Sequence, residues 1–168
     1  MAFTIYDASI TPMIRMLENL SKIIDKAITQ AKQKDIPLAE LFDAKLAPDM
    51  RTFPFQIQSA SDTSKGCAAR LAGITAPSMP DTETTFAELQ ARIAKTVDFL
   101  KTVTREQVAG AEDREVVLKF PQGEMKFTGR DYVTGFALPN FYFHITTAYA
   151  ILRHKGIEIG KMDFLGGV

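Results

Sequence analysis

The segment from Ala137 to Gly156 constrains the fold of this chain most strongly. It is the longest apolar stretch of the sequence, and it contains both histidines. Asn140 and His144 stand four residues apart within it. On a helix that spacing places two side chains one turn apart on the same face. We therefore expect any chemistry of this chain to involve that pair.

The helix that carries this segment is predicted to begin near the capping residue Thr128 and to end at about His154. Pro139 should kink it or split off its first turns, because proline lacks the backbone N–H that a helix interior requires. Gly156 is suited to the position just after the helix. The predicted inward stripe, in steps of three and four, consists of Val133, Phe136, Asn140, His144, Thr147 or Ala148, and Ile151.

The first predicted helix has Thr11 as its N-cap and Pro12 at its first helical position. Apolar residues then recur at steps of three and four over roughly twenty residues, and a start as early as Asp7 also fits. Ile36-Pro37 ends this helix. Leu38 to Phe42 is expected to form one or two short turns.

The second and third helices are amphipathic as well. The second is predicted to span about residues 52–72 and to end at Gly73. The third begins with a capping box formed by Thr85 and Glu88 and runs to about Val103. Its inward face is interpreted as entirely apolar and without chemical function.

A small β-hairpin is predicted between the third and fourth helices. Glu115–Phe120 and residues 125–128 form its strands, and the sequence Pro121-Gln-Gly-Glu forms its turn. A two-stranded hairpin is marginal by itself, so it should pack on the helices or on a partner. Four amphipathic helices joined in this way predict an all-α four-helix bundle, folded as a single domain over residues 1–168.

Charge and cysteine usage exclude several classes of protein. The 20 Lys and Arg residues balance the 20 Asp and Glu residues, which argues against nucleic-acid binding and favours self-association. The single cysteine, Cys67, cannot form an intramolecular disulfide. The N-terminal residues lack the features of a signal peptide, and no apolar run is long enough to span a membrane. These features predict a cytoplasmic protein that binds neither nucleic acid nor a membrane.

Two polar residues, Gln56 and Thr63, fall on the inward stripe of the second helix. A buried polar group costs about 1–3 kcal/mol if it stays unpaired, so both need partners inside the bundle. Bundle interiors also hold metal sites, for which His144 is a suitable ligand and Asn140 a poor one. The alternative is that His144 is a buried, hydrogen-bonded residue paired with Asn140 or Gln56.

Other reactive residue types have simpler interpretations. Cys67 lies on the inward stripe of the second helix, where a cysteine acts as a small hydrophobic residue. His154 belongs to the last helical turn, where a cation is favourable. Tyr142 and Tyr149 stand seven residues apart and form an aromatic strip that belongs either to the core or to a dimer contact.

The chain resembles the DinB-like (damage-inducible) superfamily over nearly its whole length. The resemblance lies in the order of the helices, the hairpin before the last helix, and the motif that ends that helix. Within the superfamily, the chain is most similar to an uncharacterised bacterial branch, domain-of-unknown-function family 1993. The strings that carry this similarity are Ala137-Leu-Pro-Asn-Phe-Tyr-Phe-His144, Ala148-Tyr-Ala-Ile-Leu-Arg-His-Lys-Gly156 and Gly160-Lys-Met-Asp-Phe-Leu-Gly166.

This resemblance implies a homodimeric bundle of the up-down-down-up type. Many DinB-like proteins hold a divalent metal with three histidines, one on the second helix and a His-x-x-x-His pair on the fourth. Some are transferases or isomerases that use low-molecular-weight thiols. His144 stands where the second histidine of the pair belongs, nine residues before Arg153, and Asn140 stands where the first belongs.

The third histidine position of the family has no histidine in this chain. Gln56 is its expected occupant, with Gln58 or Ser59 as alternatives in a shifted register. One imidazole and two amides lack the charge and basicity needed to hold Zn²⁺ or Ni²⁺ tightly. The resemblance therefore implies a hydrogen-bonded cluster of Gln56, Asn140 and His144 in place of the metal.

Three functions stay open at this point. The first is a small-molecule binding or stress-associated protein whose metal site has degenerated. The second is a transferase or hydrolase that uses His144 as the ligand of a weakly bound divalent metal, such as zinc or nickel. The third is a structural interaction module in which His144 has no chemical role.

Overall fold

Four long helices make up most of the fold in a computed structural model that describes residues 3–167. Two of them, α2 (Ile10–Gln33) and α4 (Phe53–Ala72), each pack against both of the others, α5 (Phe86–Thr102) and α7 (Leu138–His154). A predominantly helical fold with one small hairpin is thus confirmed, whereas the up-down-down-up order stays a prediction.

Shorter elements connect these helices. A 3₁₀ turn at Ala111–Asp113 precedes the hairpin, and a π-helical turn at Val133–Ala137 precedes α7. No helix within residues 3–167 is both long and apolar enough to cross a membrane. The remaining elements are α1 (Ile5–Ala8), α3 (Leu38–Phe42), β1 (Glu115–Phe120), β2 (Gly123–Thr128), α6 (Gly129–Tyr132) and α8 (Lys161–Leu165).

The start of the first helix differs from the sequence-based prediction. Thr11 lies inside α2 and does not cap it. The capping residue in this region is Thr4, whose hydroxyl oxygen accepts a hydrogen bond from the backbone N–H of Asp7 and so begins α1. Pro12 is the third residue of α2, and not the first as the sequence had predicted. Proline is tolerated throughout the first turn of a helix, so its position does not fix the first residue.

The other predicted helix ends are close to those observed. Thr85 and Glu88 form the expected capping box at the start of α5. Gly73 follows α4 with φ 68°, in the left-handed region that glycine adopts without strain. Gly156 has φ 82° just after α7, for the same reason.

The predicted hairpin is present, with a longer second strand. β1 and β2 pair antiparallel, with Glu115 opposite Thr128 and Phe120 opposite Gly123. This register leaves only Pro121 and Gln122 in the turn, so β2 begins two residues earlier than expected. Val116 and Leu118 of β1 are buried, and the hairpin therefore packs onto the helices.

The last helical region changes its hydrogen-bonding pattern just before Pro139, and its backbone stays helical throughout. Thr128 caps α6 through a 3.1 Å hydrogen bond from the N–H of Asp131. The π-helical turn then separates α6 from α7, whose second residue is Pro139. The missing N–H of Pro139 is tolerated in this first turn, where the wider π turn absorbs the break.

The C-terminal tail lies back over the bundle. Ile157 and Ile159 are buried, and α8 lies against α2, where Asn19 Nδ2 donates to the carbonyl of Phe164 at 3.1 Å. The last residue of the predicted tail, Val168, lies outside the described residues.

α4 packs against α7 on one side and α5 on the other, and it also contacts α2, α3 and the π-helical turn. Its residues are therefore buried almost all round, which explains why its apolar stripe is weak in the sequence. Polar side chains on both sides of α4 find partners on the neighbouring helices. These partners form two separate polar clusters.

Candidate functional site

The first cluster joins α4 to α7 through Gln56 and His144. Gln56 lies one turn into α4 and is 2% exposed, while His144 lies in the second turn of α7 and is partly exposed. His144 Nδ1 and Gln56 Oε1 are 2.8 Å apart. The structure thus brings together two of the three predicted site residues, and it selects Gln56 as the residue of α4 that faces His144.

The amide orientation of Gln56 sets the tautomer of His144. Gln56 Nε2 donates to the backbone carbonyl of Arg51 at 3.2 Å, so the Oε1 atom is the one turned to the imidazole. A carboxamide oxygen can only accept a hydrogen bond. His144 Nδ1 must therefore carry the proton, and Nε2 keeps a lone pair.

That lone pair is accessible to solvent. Nε2 of His144 has no hydrogen-bond partner within residues 3–167. Among the buried side-chain nitrogen and oxygen atoms of residues 3–167, only Arg92 Nε lacks a hydrogen-bond partner. His144 Nε2 also lacks a partner but is not in this set, so it is not buried. It is available to accept a hydrogen bond from a ligand or from water.

Two aromatic rings surround the imidazole. The ring centroids of Phe55 and Phe143 lie 6.0 Å and 5.2 Å from that of His144, both edge to face. Burial against these groups lowers the pKa of His144 below its ordinary 6.5. The imidazole is therefore neutral at pH 7, when it can act as a hydrogen-bond acceptor or a weak base.

Asn140, the third predicted site residue, is bonded elsewhere. Its Nδ2 donates to Thr63 Oγ1 at 2.7 Å, one turn before His144 on α7. This bond provides the partner that Thr63 was expected to need. The expected cluster of three residues is instead two parallel pairs between α4 and α7, Gln56 with His144 and Thr63 with Asn140.

The two alternative registers on α4 lead away from His144. Gln58 donates to Glu83 at 2.9 Å, on the side of α4 that faces α5. Ser59 is half-buried and forms no side-chain hydrogen bond in the described part of the chain. Neither residue joins the pair of Gln56 and His144.

The remaining reactive residue types have structural surroundings. Cys67 is fully buried, and burial raises the pKa of its thiol to about 12, which keeps it protonated and unreactive. His154 is exposed in the last turn of α7. In the predicted aromatic strip, Tyr149 packs edge to face on Phe164 under the tail, and Tyr142 is half-buried on α7.

The second cluster joins α4 to α5 and was not predicted. Arg92 of α5 is only 3% exposed, so the interpretation of that helix face as entirely apolar was wrong. Its Nη1 lies 2.9 Å from carboxylate oxygens of both Asp81 and Glu83, and its Nη2 lies 2.8 Å from Asp62. A buried arginine is tolerated because these carboxylates compensate its charge.

Hydrogen bonds set the ionisation of the least exposed carboxylate in this cluster. Burial alone would raise the pKa of Glu83, but hydrogen bonds from Gln58 and Arg92 outweigh it and hold that pKa below its usual value. Next to the ions, the hydroxyls of Ser61 and Thr96 are 2.6 Å apart. The cluster fixes the connection between α4 and α5 and has the geometry of a structural ion network.

The residues around His144 do not fit a tightly held divalent metal. Within residues 3–167, no group of three or more His, Cys, Asp or Glu side chains could hold a metal ion. Gln56 Oε1 is occupied by the N–H of His144, and the carboxamide oxygen of Asn140 is a poor ligand for transition metals. The one good donor left among the described residues of this site is a neutral imidazole nitrogen, which lacks the anionic ligands that complete a stable zinc or nickel site.

Comparison with known proteins places this bundle in a family. The sequence model of a domain of unknown function, DUF1993, matches residues 5–165. The chain is also similar to a DinB family member protein from Shewanella denitrificans, whose crystal structure was determined at 1.83 Å resolution. The two share 41% sequence identity with a TM-score of 0.90, and the match covers 97% of this chain and 92% of that chain. None of the curated proteins matches this chain. The chain therefore belongs to the DUF1993 family, a DinB-like family of unknown function.

Proposed function

We propose that this protein is a small-molecule binding protein, with a stress-associated role, in which the metal site of DinB-like bundles has degenerated into a neutral polar site. One observation carries the proposal: Gln56 holds His144 in a single tautomer, with Nδ1 protonated and Nε2 open to solvent. Binding to this acceptor loses little side-chain entropy, because the orientation of the imidazole is already fixed before a ligand arrives.

The surroundings of Nε2 define what this site accepts. A ligand would donate an O–H, N–H or S–H group to Nε2 and pack its apolar part on Phe55 and Phe143. Phe143 is 56% exposed, so this contact surface exists before binding. Because the imidazole is neutral, the site does not depend on an anionic group in the ligand.

Metal content tests the degenerate site directly. The full chain, purified without a histidine tag, should carry no stoichiometric zinc, nickel or manganese by mass spectrometry of the metals. One tightly bound equivalent per chain would contradict the proposal. In a high-resolution electron-density map of crystals, elongated density beside His144 Nε2 would support a bound small molecule, and tetrahedral or octahedral density would contradict it.

A second candidate function is a metal-dependent transferase or hydrolase that uses His144. The observation that favours it is the solvent-facing lone pair of Nε2, since a neutral imidazole nitrogen is a metal ligand. It predicts that added Ni²⁺, Zn²⁺ or Mn²⁺ raises the melting temperature of the wild-type protein and not that of His144→Ala. The absence of any such shift in the wild type would exclude it.

A purely structural role for this site is the third candidate. It predicts that His144→Gln, which can keep a hydrogen bond to Gln56, changes neither stability nor ligand binding. The binding proposal predicts instead that the same variant loses ligand affinity at unchanged stability.

We also propose that the protein is a cytoplasmic homodimer, with its helices in the up-down-down-up order. The zero net charge of the chain favours self-association, and the exposed side chain of Leu46 with the neighbouring Tyr142 and Thr146 offers an uncharged contact patch. Light scattering coupled to size exclusion should give the mass of two chains. A monomer at micromolar concentration would contradict the dimer.

A further inference from the structure

A cavity of about 640 Å³ lies between α2, α3 and the first turn of α5, away from His144. Its volume is in the range of sites that bind small molecules, roughly 300–1,000 Å³. Ile28, Leu38, Phe42 and Phe86 supply apolar walls, and the rings of Phe42 and Phe86 meet edge to face at 5.5 Å. Phe86 is only 5% exposed, so the aromatic surface that the cavity offers to an organic ligand is mainly the partly exposed ring of Phe42.

The charged side chains that line this cavity within residues 3–167 are both negative, Asp43 and Glu83. Arg92 pairs with Glu83 at 2.9 Å. The same guanidinium also pairs with Asp62 and Asp81, so the charge of Glu83 is only partly compensated. Asp43 is exposed, and its carboxylate forms no hydrogen bond or ion pair within residues 3–167. Asp43 therefore adds an unpaired negative charge beside the apolar walls.

The N-terminus of α5 also borders the cavity, and a helix N-terminus favours anions. Here that end of the helix is already compensated. Glu88 accepts hydrogen bonds from the backbone N–H groups of Thr84 and Thr85, at 2.7 Å and 3.0 Å, and its carboxylate neutralises the helix end. An added anion would face Glu88, Asp43 and Glu83 together.

We propose that this cavity binds an organic cation, an ammonium group attached to an aromatic or alkyl body. The body packs against Phe42 and the aliphatic walls of Ile28 and Leu38. The ammonium group lies towards Asp43. An aromatic ring attracts a cation, so Phe42 and the carboxylate favour the same ligand. The site is separate from His144 and does not depend on the function proposed there.

A matched set of probes tests the charge of the ligand. In isothermal titration calorimetry of the full chain, 4-phenylbutylamine should show saturable binding. In separate titrations, 4-phenylbutan-1-ol should bind more weakly and 4-phenylbutanoate should not bind. The proposal predicts that Asp43→Asn weakens amine binding about 2- to 5-fold, as expected for a partly exposed ion pair. Asp49→Asn, an exposed acid outside the cavity, is the control and should not change it.

A steric variant tests the location. Ala87 lines the cavity and is exposed, so Ala87→Trp fills the cavity without disturbing the core and should abolish amine binding. Ala94→Trp, two turns further along α5 at another exposed position, should leave binding intact. Equal affinity for the amine and the alcohol, preference for the carboxylate, no binding of the amine, or binding that survives Ala87→Trp would each overturn the proposal.

Discussion

The two sides of α4 carry polar clusters of opposite character. Towards α7, Gln56 and Thr63 form neutral hydrogen bonds with single partners. Towards α5, Gln58 and Asp62 belong to an ionic network around Arg92. The same helix thus supports a site with an accessible lone pair on one side and a nearly closed ion network on the other.

This difference separates a site that can bind a ligand from one that holds the fold together. In the ionic network both terminal guanidinium nitrogens of Arg92 are bonded, so no charge is left for a ligand. At His144, one ring nitrogen is fixed by Gln56 and the other is left open. A polar cluster becomes a candidate binding site only when its internal bonds leave one group unused and accessible.

Removal of the buried cation should have the largest effect. Arg92→Met is expected to lower the free energy of unfolding by about 3 kcal/mol, because it leaves Glu83, whose side chain is 11% exposed, without its charged partner. Asp62 and Asp81 are about half exposed and recover hydration, so the loss stays at the lower end of the range for broken buried ion pairs. Urea denaturation measures it.

Lys95→Met is the control for this variant. Lys95 is an exposed residue of the same helix and has no ion-pair partner within residues 3–167. Its loss should change the free energy of unfolding by less than about 0.5 kcal/mol. Equal stability of Arg92→Met and Lys95→Met would show that the ion network contributes nothing to the fold.

The neutral pair should contribute less. His144→Ala is expected to cost about 1–2 kcal/mol, because Oε1 of the buried Gln56 loses its protein partner while water can partly replace it. Thermal and urea unfolding of the variant measure the effect. A loss as large as that of Arg92→Met would contradict the distinction between the two sides of α4.

The second neutral pair should contribute least. Asn140→Ala and Thr63→Val are each expected to cost about 0.5–1.5 kcal/mol, because both side chains are partly exposed and water can replace the lost partner, unlike at the buried Gln56. Since each variant removes the same bond, the double variant should cost less than the sum of the two. Strict additivity in a double-mutant cycle would show that the two side chains do not interact.

The pH dependence of stability should report the environment of His144. Its pKa is lowered in the folded protein, so as pH falls below 6.5 the unfolded chain binds a proton before the folded chain does. Wild-type protein should therefore lose more stability than His144→Gln between pH 7 and pH 5. Parallel stability profiles for the two proteins would contradict a burial-lowered pKa.

Much of the fold follows from local signals in the sequence. The capping box at Thr85 and the glycine at position 73 mark helix ends through bonds between near neighbours, and such bonds need no tertiary context. Pro139 likewise marks the place where the last helical region changes from a π-helical turn to α7. The start of α2 was misplaced because its actual N-cap, Ser9, makes no side-chain capping bond, whereas Thr11 and Pro12 carry the usual sequence signals of a helix start.

The two polar clusters differ in how far they could be predicted. Gln56 and His144 were predicted to face each other because both fall on the apolar stripes of their helices. Arg92 also has a periodic signal, since it stands between Leu89 and Thr96 in steps of three and four. A charged residue at such a position is ordinarily predicted to face solvent. The carboxylates that compensate the charge of Arg92 come from a loop and from α4. Periodicity within one helix cannot show those partners.

The central claim is that Gln56 holds His144 as a neutral imidazole with its proton on Nδ1, and that this imidazole is not a resident metal ligand. Long-range ¹H–¹⁵N correlation spectra of the imidazole at pH 7.5, recorded before and after one equivalent of Zn²⁺, test it most directly. The structure predicts a protonated Nδ1 and an unprotonated Nε2, both unchanged by stoichiometric zinc. A proton on Nε2, or a shift of the Nε2 resonance that saturates at one equivalent of zinc, would contradict it.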